Sequence, residues 1–144
     1  LPALREKLIN ELGYSRSQFA IIFTSFGFKY GIPQDCDFII DVRFLPNPHY
    51  IPDLRPFSGK DMEVRDYISS FPETEGFMDR FCELLDFILP LYFNTGKPQV
   101  HFGIGCTGGR HRSVAVAETL CEYLSHPSRN CIVKHRDIDR EQVL

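Results

Sequence analysis

An apolar run from Val100 to Ile104 passes directly into Gly105-Cys106-Thr107-Gly108-Gly109-Arg110-His111-Arg112-Ser113, and this junction constrains the chain more than any other feature. The run reads as a buried strand. Beyond the glycines, Val114, Ala117, Cys121 and Leu124 recur at the spacing of one helix face. A strand that turns into a helix through glycines aims free backbone N–H groups and the positive end of a helix dipole at one place. Arg110 and Arg112 add positive charge there, and Thr107 and Ser113 add hydroxyl groups. The junction therefore suits a phosphate or another small oxyanion.

The rest of the chain repeats the alternation of short apolar runs and helical patterns. Strands are expected at Phe19 to Thr24, Asp37 to Val42 and Cys131 to His135, besides Val100 to Ile104. A helix carrying Phe77, Phe81, Leu84, Leu85 and Ile88 on one face is expected to end near Pro90, and another to begin near Ser113. Near the start, Leu4, Leu8 and Leu12 predict a helix over Pro2 to Leu12, with Gly13 as its stop. This is the pattern of an α/β fold, a single domain with a mixed or parallel central sheet flanked by helices.

Composition narrows the function classes. A net charge of −3 argues against a generally basic nucleic-acid coat, though not against a local basic patch. Five cysteines without a CxxC pair point away from a disulfide framework or a zinc site, and favour a reducing cytoplasm. No metal site is expected, and no apolar stretch approaches the length of a membrane span. A chain beginning at Leu1 rather than Met leads us to expect a fragment, with the 1–13 helix linking to a missing upstream domain and 14–144 forming the domain proper.

In open α/β sheets, ligands collect at the carboxyl ends of the strands. Three polar segments leave such ends here: 25–31 with Lys29, 41–49 with Asp41, Arg43 and His49, and the glycine-rich turn. Prolines at 46, 48, 52 and 56 stiffen the second segment and its continuation, so that Arg43, His49 and Arg55 can be held in place. Asp41 at a strand end is suited to pair with Arg43 or to orient a sugar hydroxyl. Tyr30 and Tyr50 could stack on bases, but aromatics are first of all core material.

Cys106 and Arg112 also have the Cys-x5-Arg-Ser spacing of cysteine-dependent phosphatases, in which a thiolate attacks phosphorus. Cationic neighbours would lower the pKa of a cysteine there. Gly105 stands where such enzymes usually place a His, and Asp137 and Asp139 are candidates for the general acid only by default. Two readings follow: an oxyanion-binding module with Cys106 as a pocket-lining residue, or a phosphatase using Cys106 and Arg112 on a small phosphomonoester.

Three long motifs in order carry a family resemblance. They are Ser25-Phe26-Gly27-Phe28-Lys29-Tyr30-Gly31-Ile32-Pro33; Asp41-Val42-Arg43-Phe44-Leu45-Pro46-Asn47-Pro48-His49, continued by Leu54-Arg55-Pro56, Gly59 and Asp61; and Gly105 to Ser113. Together they resemble the carboxyl-terminal domain of the RapZ/YvcJ proteins, bacterial RNase adapters and nucleotide-binding proteins. The resemblance implies a fold similar to a phosphofructokinase subdomain, with no cofactor of its own. ATP or GTP would belong to an upstream P-loop domain. It implies a regulatory domain that senses glucosamine-6-phosphate and in some members binds a small regulatory RNA for an endoribonuclease. A cytoplasmic, self-associating protein is implied as well. On this likeness Cys106, Thr107, Gly108, Gly109, His111, Arg112 and Ser113 would cradle the phosphate, and Lys29, Asp41, Arg43 and His49 would line the rest. One departure concerns the tail: RNA-binding members end in a strongly basic segment, whereas here Asp137, Asp139 and Glu141 interrupt the arginines.

Overall fold

A computed structural model describes residues 19–125 and 129–140; the expected helix over Pro2 to Leu12 lies outside the described residues. Four strands form one sheet: β1 (Ala20–Gly27), β2 (Phe38–Asp41), β3 (Gln99–Cys106) and β4 (Asn130–His135). Their order is β2-β3-β1-β4, and every neighbouring pair is parallel. The two central strands are apolar and almost continuously buried, whereas the edge strands alternate in exposure. That contrast is expected when only the middle of a parallel sheet is covered on both faces.

Three α-helices are described: α1 (Met62–Ser69), α2 (Pro72–Phe93) and α3 (Arg112–Leu124). The registers Phe23↔Phe102, Phe38↔Phe102 and Phe23↔Val133 place these side chains, and His135 two residues on, on one face of the sheet. Helix α2 packs there through Phe81 against Phe38 and Tyr92 against Phe102. Helix α3 meets the same face beside it, where Glu118 binds His135 at 2.6 Å and His135 in turn binds the buried Ser25 at 2.6 Å. Helix α1 leans on α3 through Arg65, whose guanidinium donates to Glu122 at 2.6 and 2.9 Å and to Thr119 at 3.1 Å.

Two expectations about the helices change. Helix α2 does not end near Pro90 but runs through it to Phe93. Proline removes one backbone donor without forbidding a further turn, and burial of Phe93 against Phe19, ring centroids 5.4 Å apart, rewards that turn. Gly96, at φ +83°, follows just beyond. Leu84, expected on the buried face, is an exposed residue, and the inner row is Phe81, Leu85, Leu89 and Phe93. Helix α1 has no counterpart in the sequence reading, because only Val64 and Ile68 of its eight residues are buried. The five cysteines are all free. Among the described residues, no helix is long and apolar enough to cross a membrane.

Candidate functional site

All four strands run the same way, so Gly27, Asp41, Cys106 and His135 end at one edge of the sheet. The segments leaving that edge meet at the glycine-rich turn. Gly109 has φ +82°, a backbone region that disfavours side chains. The turn also presses onto the end of β1: a Cβ on Gly27 would lie 2.4 Å from the carbonyl carbon of Gly108. The Lys29 N–H donates to the Thr107 carbonyl at 3.3 Å, closing the same contact.

The residues after the glycines grip the proline-rich segment by its backbone. Arg110 donates to the carbonyls of Pro56 at 2.6 Å and Ile138 at 2.8 Å. His111 lies with Nε2 3.1 Å from the Arg55 carbonyl. Arg112, buried at the first position of α3, donates to the Arg43 carbonyl at 2.6 Å, to that of Leu45 at 3.3 Å and to Thr107 Oγ1 at 3.4 Å. The proline-rich segment supports itself as well. Asn47 Oδ1 accepts the His49 N–H at 3.1 Å, and Arg55 Nε donates to the His49 carbonyl at 2.7 Å.

Between these walls is a cleft of about 940 Å³. Of the residues singled out from sequence, Lys29, His49, Arg55, Cys106, Thr107, Gly108, Arg110, His111 and Arg112 line it. Four do not. Asp41 and Arg43 form an ion pair at 2.6 Å on the surface, with Arg43 stacked 4.2 Å from the Phe28 ring; the Arg43 guanidinium holds the Asp41 carboxyl below the usual carboxylate range. Gly109 faces Gly27 and Asp137. Ser113 is fully buried behind Cys106, whose Sγ donates to Ser113 Oγ at 3.1 Å and accepts the Gly109 N–H at 3.3 Å. Burial pushes the His111 imidazole below its ordinary pKa, although the backbone at Arg55 and Phe57 favours the charged form.

The cleft also takes in Asn47, Tyr50, Pro52 and Pro56. Asn47 and Pro56 stand inside the quoted motifs, so their place was within reach of the sequence. Tyr50 is 74% exposed at the cleft, so it is not core. Asp137, the default candidate for a general acid, is fully buried: it accepts the Gly27 N–H at 2.8 Å and pairs with Arg136 at 2.8 Å and Arg140 at 3.1 Å. It braces the end of β1, a role no local signal announces.

A family model described as the RapZ C-terminal domain matches residues 19–139. A nucleotide-binding protein of Shouchella clausii is 49% identical over 140 residues, which cover 96% of this chain and 47% of that protein. One from Acetivibrio thermocellus is 53% identical over 117 residues, 81% of this chain and 40% of its own length. One from Geobacillus kaustophilus is 48% identical over 140 residues, 96% of this chain and 47% of its own. The chain thus spans about half the length of the curated relatives it matches.

Proposed function

Because the chain belongs to the RapZ C-terminal domain family, we propose that it is a regulatory binding domain that holds a phosphorylated amino sugar, of the glucosamine-6-phosphate kind, at the 105–113 turn. The observation that carries this reading is the charge of the cleft. Lys29, Arg55, Arg110 and Arg112 line it, and no Asp or Glu among the described residues does. Arg110 and Arg112 are oriented by carbonyl oxygens, which fix a guanidinium without cancelling its charge. Like charges held together in this way favour an incoming anion. Asn47, His49 and the exposed ring of Tyr50 offer polar and stacking contacts to the sugar. Small regulatory RNA is a further partner on this reading, with an affinity that falls steeply with salt if phosphate contacts carry it.

Calorimetric titration with glucosamine-6-phosphate, glucose-6-phosphate and inorganic phosphate tests the reading. Selective binding of the amino-sugar phosphate without hydrolysis is expected. Arg112→Ala is expected to weaken it by about 2–3 kcal/mol, the scale of a charge-assisted contact. Thermal melting of the same variant separates this from loss of fold, since Arg112 also ties down the Arg43 and Leu45 carbonyls. Unchanged affinity in a folded Arg112→Ala would remove the proposed pocket.

One observation favours a second reading. The Cys106 sulfur has the Gly109 N–H and the Ser113 hydroxyl beside it, both able to donate to a thiolate. A thiolate attacking phosphorus would expel an alkoxide, and with no carboxylate among the described residues lining the cleft the proton would come from another group there, such as His49, His111, Lys29 or Tyr50, or from water. Turnover of a chromogenic phosphate ester that disappears in Cys106→Ala would establish this enzyme. Turnover no faster in the parent than in the variant would dismiss it.

A further inference from the structure

His111 stands just before the first residue of α3 and is only 7% exposed, yet it lines the cleft. Its ring is met by backbone of the proline-rich segment at Arg55, whose carbonyl lies 3.1 Å from Nε2, and at Phe57. Carbonyl oxygens can only accept, so both contacts favour the doubly protonated ring. Three influences oppose it: burial, the Arg110 guanidinium and the facing His49 ring, whose centroid is 6.4 Å away. Arg112 follows in the chain, and the Arg55 side chain is turned onto the His49 carbonyl. No ion pair joins His111 to a carboxylate among the described residues. In the free protein this balance falls on the neutral side, with the His111 pKa below its ordinary value. A negative charge placed beside Arg110 would offset that repulsion and itself attract the imidazolium, adding to the two backbone contacts against the cost of burial.

We propose that an anion entering the cleft brings one proton with it, taken up by His111, whose imidazolium then donates to the Arg55–Phe57 backbone and clamps the proline-rich segment against the glycine-rich turn. The proposal rests on the reading of the cleft as an oxyanion site. It supplies what a regulatory ligand needs, an interaction that is stronger in one loop arrangement than in another. His111 acts here as a positioning residue: the bound anion sets its charge, and its charge sets the loop.

The sign follows from linkage. If the anion raises the His111 pKa, the complex holds more protons than the free protein between the two pKa values, and affinity rises as pH falls through that window. The limit is about tenfold per pH unit for one full proton. Phosphate esters titrate in the same range and would obscure the count, so the probe is inorganic sulfate, which stays fully ionised there. Calorimetry of this chain with sulfate, in buffers of low and high ionisation enthalpy, reads the protons taken up. We expect uptake approaching one proton in the parent and none in His111→Gln, whose sulfate affinity should be flat with pH. As a check that does not depend on a variant folding, the His111 ring resonance should titrate at higher pH once sulfate is added. Sulfate binding without proton uptake, or uptake that persists in His111→Gln, overturns the clamp and leaves the oxyanion site standing. Failure of both sulfate and the sugar phosphates to bind overturns the site itself.

Discussion

Gly27→Ala should be severely damaging for a single-methyl change, lowering stability by about 3 kcal/mol or more. The added Cβ would stand 2.4 Å from the carbonyl carbon of Gly108, 2.5 Å from its oxygen and 2.9 Å from the nitrogen of Gly109. All three are backbone atoms of the glycine-rich turn, and none can swing aside as a side-chain tip would. The approach is equally close from the side of the turn, where a Cβ on Gly109 would stand 2.5 Å from the Gly27 nitrogen and 2.8 Å from the carbonyl carbon of Phe26. The strand end and the turn would have to separate, and the cleft would lose its shape along with its stability. Thermal melting beside Gly31→Ala makes the test specific. Gly31 also has a positive φ, +90°, but open space around it, so its substitution carries a backbone cost of about 1–3 kcal/mol and no clash. Equal melting temperatures for the two variants would show that the close approach at Gly27 is not what holds the turn.

Asp137→Ala is expected to cost about 3 kcal/mol, at the low end for breaking a buried ion pair. The carboxylate is wholly buried, and its loss leaves the Gly27 N–H without its 2.8 Å acceptor. The two arginines it holds keep part of their hydration, with side-chain exposures of 29% for Arg136 and 52% for Arg140, which limits the penalty. Arg136 also donates to the Gly31 carbonyl and lies over Phe26, and Arg140 lies over Tyr30, so the change should loosen the 28–31 turn and with it Lys29. Urea unfolding measures the loss, and anion titration of the same variant should show weaker binding although Asp137 does not line the cleft. A drop below about 1 kcal/mol with unchanged anion affinity would mean that the brace is dispensable.

Much of this architecture is legible in the chain. The run Val100 to Ile104 lies inside β3, and the helix expected near Ser113 begins at Arg112. Periodicity reports such elements because neighbours along the chain decide them. Helix α1 escaped because two buried residues in eight make no readable stripe. Whether the sheet is parallel or mixed could not be read either. The order β2-β3-β1-β4 pairs strands that do not follow one another in the chain, and only their packing under α2 and α3 selects it.

The site divides along the same line. The glycine-rich turn announces itself because a strand, two glycines and a helix start are consecutive, and the demand for a positive φ at Gly109 is local. The likeness of the three motifs to the RapZ carboxyl-terminal domain is likewise a property of the sequence, and the family match agrees with it. What Arg110 and Arg112 hold is different. Their acceptors are the carbonyls of Pro56, Ile138, Arg43 and Leu45, tens of residues away in either direction. The exposed pairing of Asp41 with Arg43, the burial of Asp137 and the exposure of Tyr50 at the cleft depend in the same way on which loops meet at the edge of the sheet. By itself the sequence determined that this protein is an α/β domain with a cationic glycine-rich turn, because backbone geometry and periodicity are set by adjacent residues. Only the tertiary structure decided which of its charges face the cleft and which are tied to backbone or carboxylate, because a hydrogen bond is chosen by proximity in space.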